Sequence, residues 1–110
     1  VTYSNEAKVA LGVNAEVISD RGAVSEDVAR AMAVAARQRA TADYGLGITG
    51  IAGPGGGSVQ KPVGTVWFAL AGRDGIAWCR KFRFSGDRSH IKFQATQTAL
   101  DMLRREFELR

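Results

Sequence analysis

Two short stretches of this sequence hold residues whose type and spacing could do chemistry. The first is Tyr3-Ser4-Asn5-Glu6-Ala7-Lys8, which sets a hydroxyl and an amine four residues apart, the spacing at which side chains meet on one helix face. A lysine amine serves as a base once burial or neighbouring cations lower its pKa. A capping serine beside a solvated lysine explains the same residues without catalysis, and on residue types alone it is the plainer reading. The second stretch is Gly50-Ile51-Ala52-Gly53-Pro54-Gly55-Gly56-Gly57, which follows an apolar strand. Glycine lets backbone N–H groups approach an anion closely, and consecutive N–H groups form a nest. A ligand-free surface connection has the same composition, so both readings stand.

Other patterns carry less. Gly45-Leu46-Gly47-Ile48-Thr49-Gly50 fits G-x-G-x-x-G, but its glycines fall inside the apparent strand and a long loop follows. A dinucleotide fingerprint needs a strand, a tight turn and then a helix, with an acidic residue further on. Lys61 lies between Gln60 and Pro62, which breaks the phosphate-loop pattern. His90 has no second ligand nearby and reads as a solvated helix histidine, so no metal site is expected. Cys79 stands beside Arg80 and Lys81. Those cations would lower its pKa, but a small packed side chain is the better account. No organic cofactor is implied either.

The elements that must position these groups follow from capping and periodicity. Ser4 to Leu11 reads as a short helix with Ser4 or Asn5 as cap and Gly12 as stop. Val13 to Ala23 reads as irregular. Glu26 to Ala40 is a strong helix capped by Ser25, with Glu26 and Asp27 in its first turn and Val28, Met32, Ala35 and Ala36 on one face. Tyr44 to Thr49 and Gly64 to Ala71 read as strands. Arg73-Asp74-Gly75 signals a turn into Ile76 to Phe84, with Ile76, Trp78, Phe82 and Phe84 on one side. Trp67 and Trp78 are expected in the core. Asp87 to Phe107 is the last helix, with Asp87 as its cap and a stripe of Ile91, Ala95, Ala99, Met102, Leu103 and Phe107. Together these give an α/β fold, or α+β: a mixed sheet ending in a β-hairpin and flanked by helices in a layered sandwich.

At 110 residues the chain has room for one domain. The net charge of +4 is modest for a nucleic-acid binder, and no DNA-binding motif is present, so nucleic acid is not the expected partner. Arg80, Lys81, Arg83, Arg88 and Lys92 still crowd the C-terminal third, leaving a small anionic ligand open. No apolar run is long enough to span a bilayer, and no basic-then-apolar segment opens the sequence. With a single cysteine, the expected setting is reducing and cytoplasmic.

Thr2-Tyr3-Ser4-Asn5-Glu6-Ala7-Lys8, with Leu11-Gly12-Val13 behind it, resembles the C-terminal domain of the CinA family. So do Gly22-Ala23-Val24-Ser25, Ile48-Thr49-Gly50-Ile51-Ala52-Gly53-Pro54, Lys61-Pro62-Val63-Gly64-Thr65-Val66 and Gly86-Asp87-Arg88. The resemblance implies an amidohydrolase that converts nicotinamide mononucleotide to nicotinic acid mononucleotide and ammonia. It implies catalytic roles for Lys8 and Tyr3, and substrate contacts from Ser4, Asn5, Thr49, Gly50, Ala52, Gly53, Pro54 and Arg88. The family's nucleophile is a serine in a Ser-Cys-Thr-Gly-Gly motif, and no such motif occurs here. By this resemblance, residues 1–110 form one domain without its first strand, first helix and nucleophile segment. The chain would then supply the lysine and the pocket. A homo-oligomer and a preceding pyrophosphatase-like domain are compatible with the family. A non-catalytic nucleotide-binding or interaction module is the competing reading.

Overall fold

The computed structural model describes residues 4–108. Four helices and three strands follow one another as α1 (Asn5–Leu11), α2 (Ala15–Arg21), α3 (Glu26–Ala40), β1 (Gly45–Gly50), β2 (Thr65–Gly72), β3 (Gly75–Arg83) and α4 (Arg88–Glu108). The strands form one sheet in the order β1-β2-β3, antiparallel throughout. The α/β layering expected from the sequence is present. A parallel strand, which a mixed sheet would add, is not among the described residues.

Local signals account for the helix ends. Ser4 Oγ accepts from the Ala7 N–H at 3.0 Å, and Gly12 stops α1. Ser25 Oγ accepts from the Val28 N–H at 3.2 Å to start α3. Asp87 Oδ1 accepts from the His90 N–H at 2.9 Å to start α4. The stretch expected to be irregular instead contains α2. Asn14 caps it, accepting from the Glu16 N–H at 2.8 Å, and Gly22 ends it. Helical periodicity is faint over seven residues. What fixes α2 is the burial of Ile18 against Val13, Val28 and Met32.

Helix α3 buries two stripes. Val28 and Met32 face the α1–α2 side, while Ala29 and Ala33 press on the sheet. Gly45 and Gly47 explain the closeness of that second contact. A Cβ on Gly45 would overlap the Ala33 carbonyl oxygen, and one on Gly47 would overlap the Ala29 carbonyl oxygen. The glycine pattern in β1 therefore serves helix–strand packing rather than a dinucleotide.

On the other face, Val66 and Phe68 pack with Ile91 and Ala99 of α4, joined by Trp78, Phe82 and Phe84. Phe68 meets Phe82 and Phe84 edge-on at 5.6 and 6.4 Å, arrangements that add to area burial. Ile76 does not share this face as expected. The ladder pairs Leu70 with Trp78 but Ala71 with Ile76. The extra residue, Ala77, is a bulge that turns Ile76 toward α3, beside Cys79. One extra residue in a period-two element moves everything beyond it to the other face. Trp67 and Trp78 are half-buried rather than in the deepest core, on opposite faces of the sheet. Ile91, Ala95 and Ala99 of the α4 stripe join the core, whereas Phe107 is exposed and meets the Tyr44 ring edge-on at 5.3 Å.

Candidate active site

Lys8 is the most unusual side chain of the fold, a lysine only 4% exposed. Its position follows from α1. The Gly12 and Val13 N–H groups both return to the Lys8 carbonyl, at 3.2 and 3.0 Å. Arg39 of α3 donates from Nη1 to the Ala10 carbonyl at 2.9 Å, holding α1 against α3. Burial disfavours the ammonium and lowers the Lys8 pKa from its ordinary 10.5, which increases the share of free amine able to accept a proton.

Lys8 lines a cleft of about 210 Å³ shared by five parts of the chain. Ala23 and Val24 come from the turn between α2 and α3. Thr49, Gly50 and Ala52 come from the end of β1 and the loop after it. Lys92 and Thr96 come from α4, and Ile48, Val66, Ile91 and Ala95 complete an apolar lining. The Lys8 amine and Gly50 at the start of the glycine loop, 42 residues apart in sequence, thus meet in one cleft. A pocket with an apolar lining and few polar groups is the usual form of a small-molecule site.

The expected site residues divide accordingly. Lys8, Thr49, Gly50 and Ala52 are brought together. Thr49 has a second task, because its Oγ1 donates to the Ala23 carbonyl at 2.7 Å and ties β1 to the α2–α3 turn. Gly53 is buried just beyond the cleft, and its carbonyl accepts from Arg88 Nη1 at 3.1 Å. That bond commits one guanidinium nitrogen of Arg88 to the loop. Pro54 is exposed. Ser4 and Asn5 are exposed at the start of α1 and do not line the cleft, and the Ser4 hydroxyl is the helix cap. Tyr3 lies outside the described residues. Sequence reasoning missed Lys92, Thr96, Ala23 and Val24 as lining. Arg88, Lys92 and Thr96 recur every four residues, a spacing that would have flagged one face of α4.

A wider groove of about 600 Å³ runs between β3 and α4 past Trp78, Arg80, Phe82, Met102 and Arg105. None of the expected site residues lies in it. The Cys79 thiol is pushed up by burial and by Glu26 and Asp27, against the lowering effect of Arg30. Arg80 and Lys81 do not activate it.

The model of the CinA C-terminal domain family matches residues 1–107. This chain belongs to that family. The nicotinamide-nucleotide amidohydrolase PncC of Escherichia coli (strain K12) is 53% identical over 108 residues, which are 97% of this chain and 66% of that protein. The chain therefore spans just under two thirds of that relative. A putative competence-damage inducible protein of Moorella thermoacetica is 57% identical over 104 residues, covering 94% of this chain and 25% of its own length. The crystal structure of a CinA superfamily protein from Klebsiella pneumoniae matches at TM-score 0.92 and 38% identity, over 100% of this chain and 69% of that one. A competence/damage inducible protein from Agrobacterium tumefaciens matches at TM-score 0.88 and 44% identity, over 94% of this chain and 64% of that one. The CinA-family fold of this chain is thus shared with experimentally solved relatives. No helix among the described residues is long and apolar enough to cross a membrane.

Proposed function

We propose that this chain forms the base-bearing part of an amidohydrolase domain that deamidates nicotinamide mononucleotide. The observation that carries the reading is Lys8: a buried amine with a lowered pKa in the same cleft as Thr49, Gly50 and Ala52. A carboxamide is a poor electrophile and needs both an activated nucleophile and a stabilised oxyanion. In this mechanism Lys8 Nζ takes the proton of a serine hydroxyl supplied by polypeptide outside residues 1–110. The serine oxygen attacks the carboxamide carbon. The proton passes to the leaving nitrogen, and ammonia departs from an acyl ester. Water, deprotonated by Lys8, then cleaves the ester to the carboxylate and restores the serine. Tyr3 orients this pair. Backbone N–H groups of Gly50 and Ala52, the two residues of the loop segment that line the cleft, face the developing oxyanion, and Ser4 sets Lys8 through its cap.

A cleft of about 210 Å³ suits the pyridine ring and its carboxamide better than a whole nucleotide, since pockets for drug-sized ligands span roughly 300–1,000 Å³. The ribose phosphate would then lie toward the outer end of the cleft, where Arg88 and Lys92 of α4 supply positive charge. Nucleotide metabolism in the cytoplasm is the matching setting. The larger span of the relatives supports a longer native polypeptide, in which a pyrophosphatase-like domain has room.

The test is ammonia release from nicotinamide mononucleotide by the polypeptide carrying its native upstream sequence. Lys8→Ala is expected to lower turnover by about 10²–10⁴, the usual share of a positioned base, while nucleotide binding persists. Near-normal turnover in Lys8→Ala removes the lysine from the mechanism. Nucleotide binding without ammonia release in the unmutated protein leaves the binding-module reading.

A further inference from the structure

The glycine-rich loop, residues 51–64, carries one basic side chain, and that side chain reaches across to another element. Lys61 Nζ donates to the Arg21 carbonyl at the end of α2, at 2.8 Å. The lysine sits on a firm mount. Its N–H donates to Ser58 Oγ at 3.0 Å, and its carbonyl accepts from the Ser58 N–H at 2.9 Å. The next residue, Pro62, accepts from both the N–H and the hydroxyl of Thr65, at 3.0 and 2.6 Å, so the mount is continuous with β2.

The receiving end is equally well defined. Gly22 follows Arg21 with φ +83°, and a Cβ there would stand 2.7 Å from Lys61 Nζ. Glycine at this position permits both the backbone conformation and the approach of the ammonium. The adjoining turn is held by the Ser25 hydroxyl donating to the Gly22 carbonyl at 2.9 Å and by Thr49 Oγ1 donating to the Ala23 carbonyl at 2.7 Å. Ala23 and Val24 of this turn form one wall of the cleft, and Gly50 and Ala52 form another.

We propose that Lys61 is a positioning residue: its ammonium latches the glycine loop to the α2–α3 turn and fixes the spacing of these two walls. Thr49 makes the same connection from the strand end, inside the cleft, and Lys61 makes it from the rim. A charge-assisted bond of this kind is stronger than a neutral one, and half-burial of Lys61 leaves it open to competition from water. The effect on substrate therefore belongs in binding rather than in the chemical step. This role rests on the proposed use of the cleft, and the experiment below separates the two.

Lys61→Ala, Lys61→Met and Lys61→Arg are compared in the polypeptide with its native upstream sequence. Amide hydrogen exchange of the ligand-free protein is followed in segments 20–26 and 51–64, and deamidation of nicotinamide mononucleotide is measured beside it. Loss of the bond in Lys61→Ala and Lys61→Met is expected to speed exchange in both segments and raise KM, each by about tenfold. Their kcat stays within about twofold, because Lys61 makes no contact specific to the transition state. Lys61→Arg, whose guanidinium can donate to the same carbonyl, restores both readouts. Lys61→Met keeps the aliphatic stem and so isolates the ammonium from packing. Unchanged exchange in segment 20–26 in both Lys61→Ala and Lys61→Met overturns the latch. Faster exchange with an unchanged KM overturns its role in positioning substrate. If the unmutated protein releases no ammonia, the proposed function fails, and exchange alone decides whether Lys61 joins the two walls.

Discussion

Replacing Gly47 by alanine tests the close contact between α3 and β1, on which the cleft depends. The new methyl would overlap the Ala29 carbonyl oxygen and lie 2.8 Å from the Ala33 nitrogen and 3.1 Å from Met32 Cβ. Two of these three neighbours are helix backbone, so no rotamer change relieves the clash. The strand must retreat from the helix by an amount on the order of 1 Å, opening gaps in an interior that is otherwise close-packed. Ala29 and Ala33 are fully buried at 0% exposure, so the gaps fall where no water can fill them. Overpacking of this sort costs about 1–3 kcal/mol, and the backbone clash places Gly47→Ala at the upper end. At about 4–8 °C per kcal/mol for a domain of this size, Tm should fall by roughly 12–24 °C. Gly72→Ala is the control. Its methyl would meet only Tyr44 Cε1 and Cδ1, at 3.8 and 4.0 Å, an ordinary contact, and the smaller entropy of the unfolded chain should stabilise it by about 0.4–1 kcal/mol. Thermal unfolding followed by circular dichroism compares the two in one buffer. Equal Tm values for the two variants, or a Gly47→Ala protein within about 3 °C of the parent, would refute the packing argument.

Lys8 gives stability a pH dependence whose sign is fixed. Burial lowers its folded pKa below the ordinary 10.5, so between the two values the unfolded chain binds more protons and stability rises with pH. Lys8→Met should be more stable than the parent at neutral pH, and this advantage should shrink as pH climbs toward 10.5; urea midpoints across that range check it, and a constant or growing gap contradicts it. Asp87→Ala removes the acceptor for the His90 N–H and should cost about 0.5–2 kcal/mol, read as a lower urea midpoint with an unchanged m value. Deamidation by the complete domain should continue in excess chelator, since the proposed chemistry runs on serine and lysine alone; strong inhibition would bring a metal into the mechanism.

What could be read in the sequence was local. Ser4, Ser25 and Asp87 each cap a helix because their hydroxyl or carboxylate reaches an N–H three residues on. The hairpin strands announce themselves through β-branched and aromatic residues. Features set by distant pairing were not visible. The bulge at Ala77 exists only relative to β2, so the turn of Ile76 toward α3 could not be seen in β3 alone. Helix α2 is too short for its period to show, and it is stabilised by Val28 and Met32 of another helix. Within the site, residue types made Lys8 ambiguous, and the family resemblance singled it out. Its burial comes from the seating of α1 on α3, which no pattern within Tyr3–Lys8 encodes. Lys92 was visible only as one of a crowd of basic residues and Thr96 not at all, and only the cleft distinguishes them from the rest of α4.

The seam of Gly45 and Gly47 against Ala29 and Ala33 has a dynamic consequence. Side chains that reach across an interface can swing, and their rotamer hops let two elements slide. Here glycine meets helix backbone directly, so α3 and β1 are expected to move together, with Thr49 and Gly50 carried at their edge. Breathing that admits a ligand is then left to the glycine loop, held to α4 by the hydrogen bond from Arg88 to the Gly53 carbonyl and to the end of α2 by that from Lys61 to the Arg21 carbonyl.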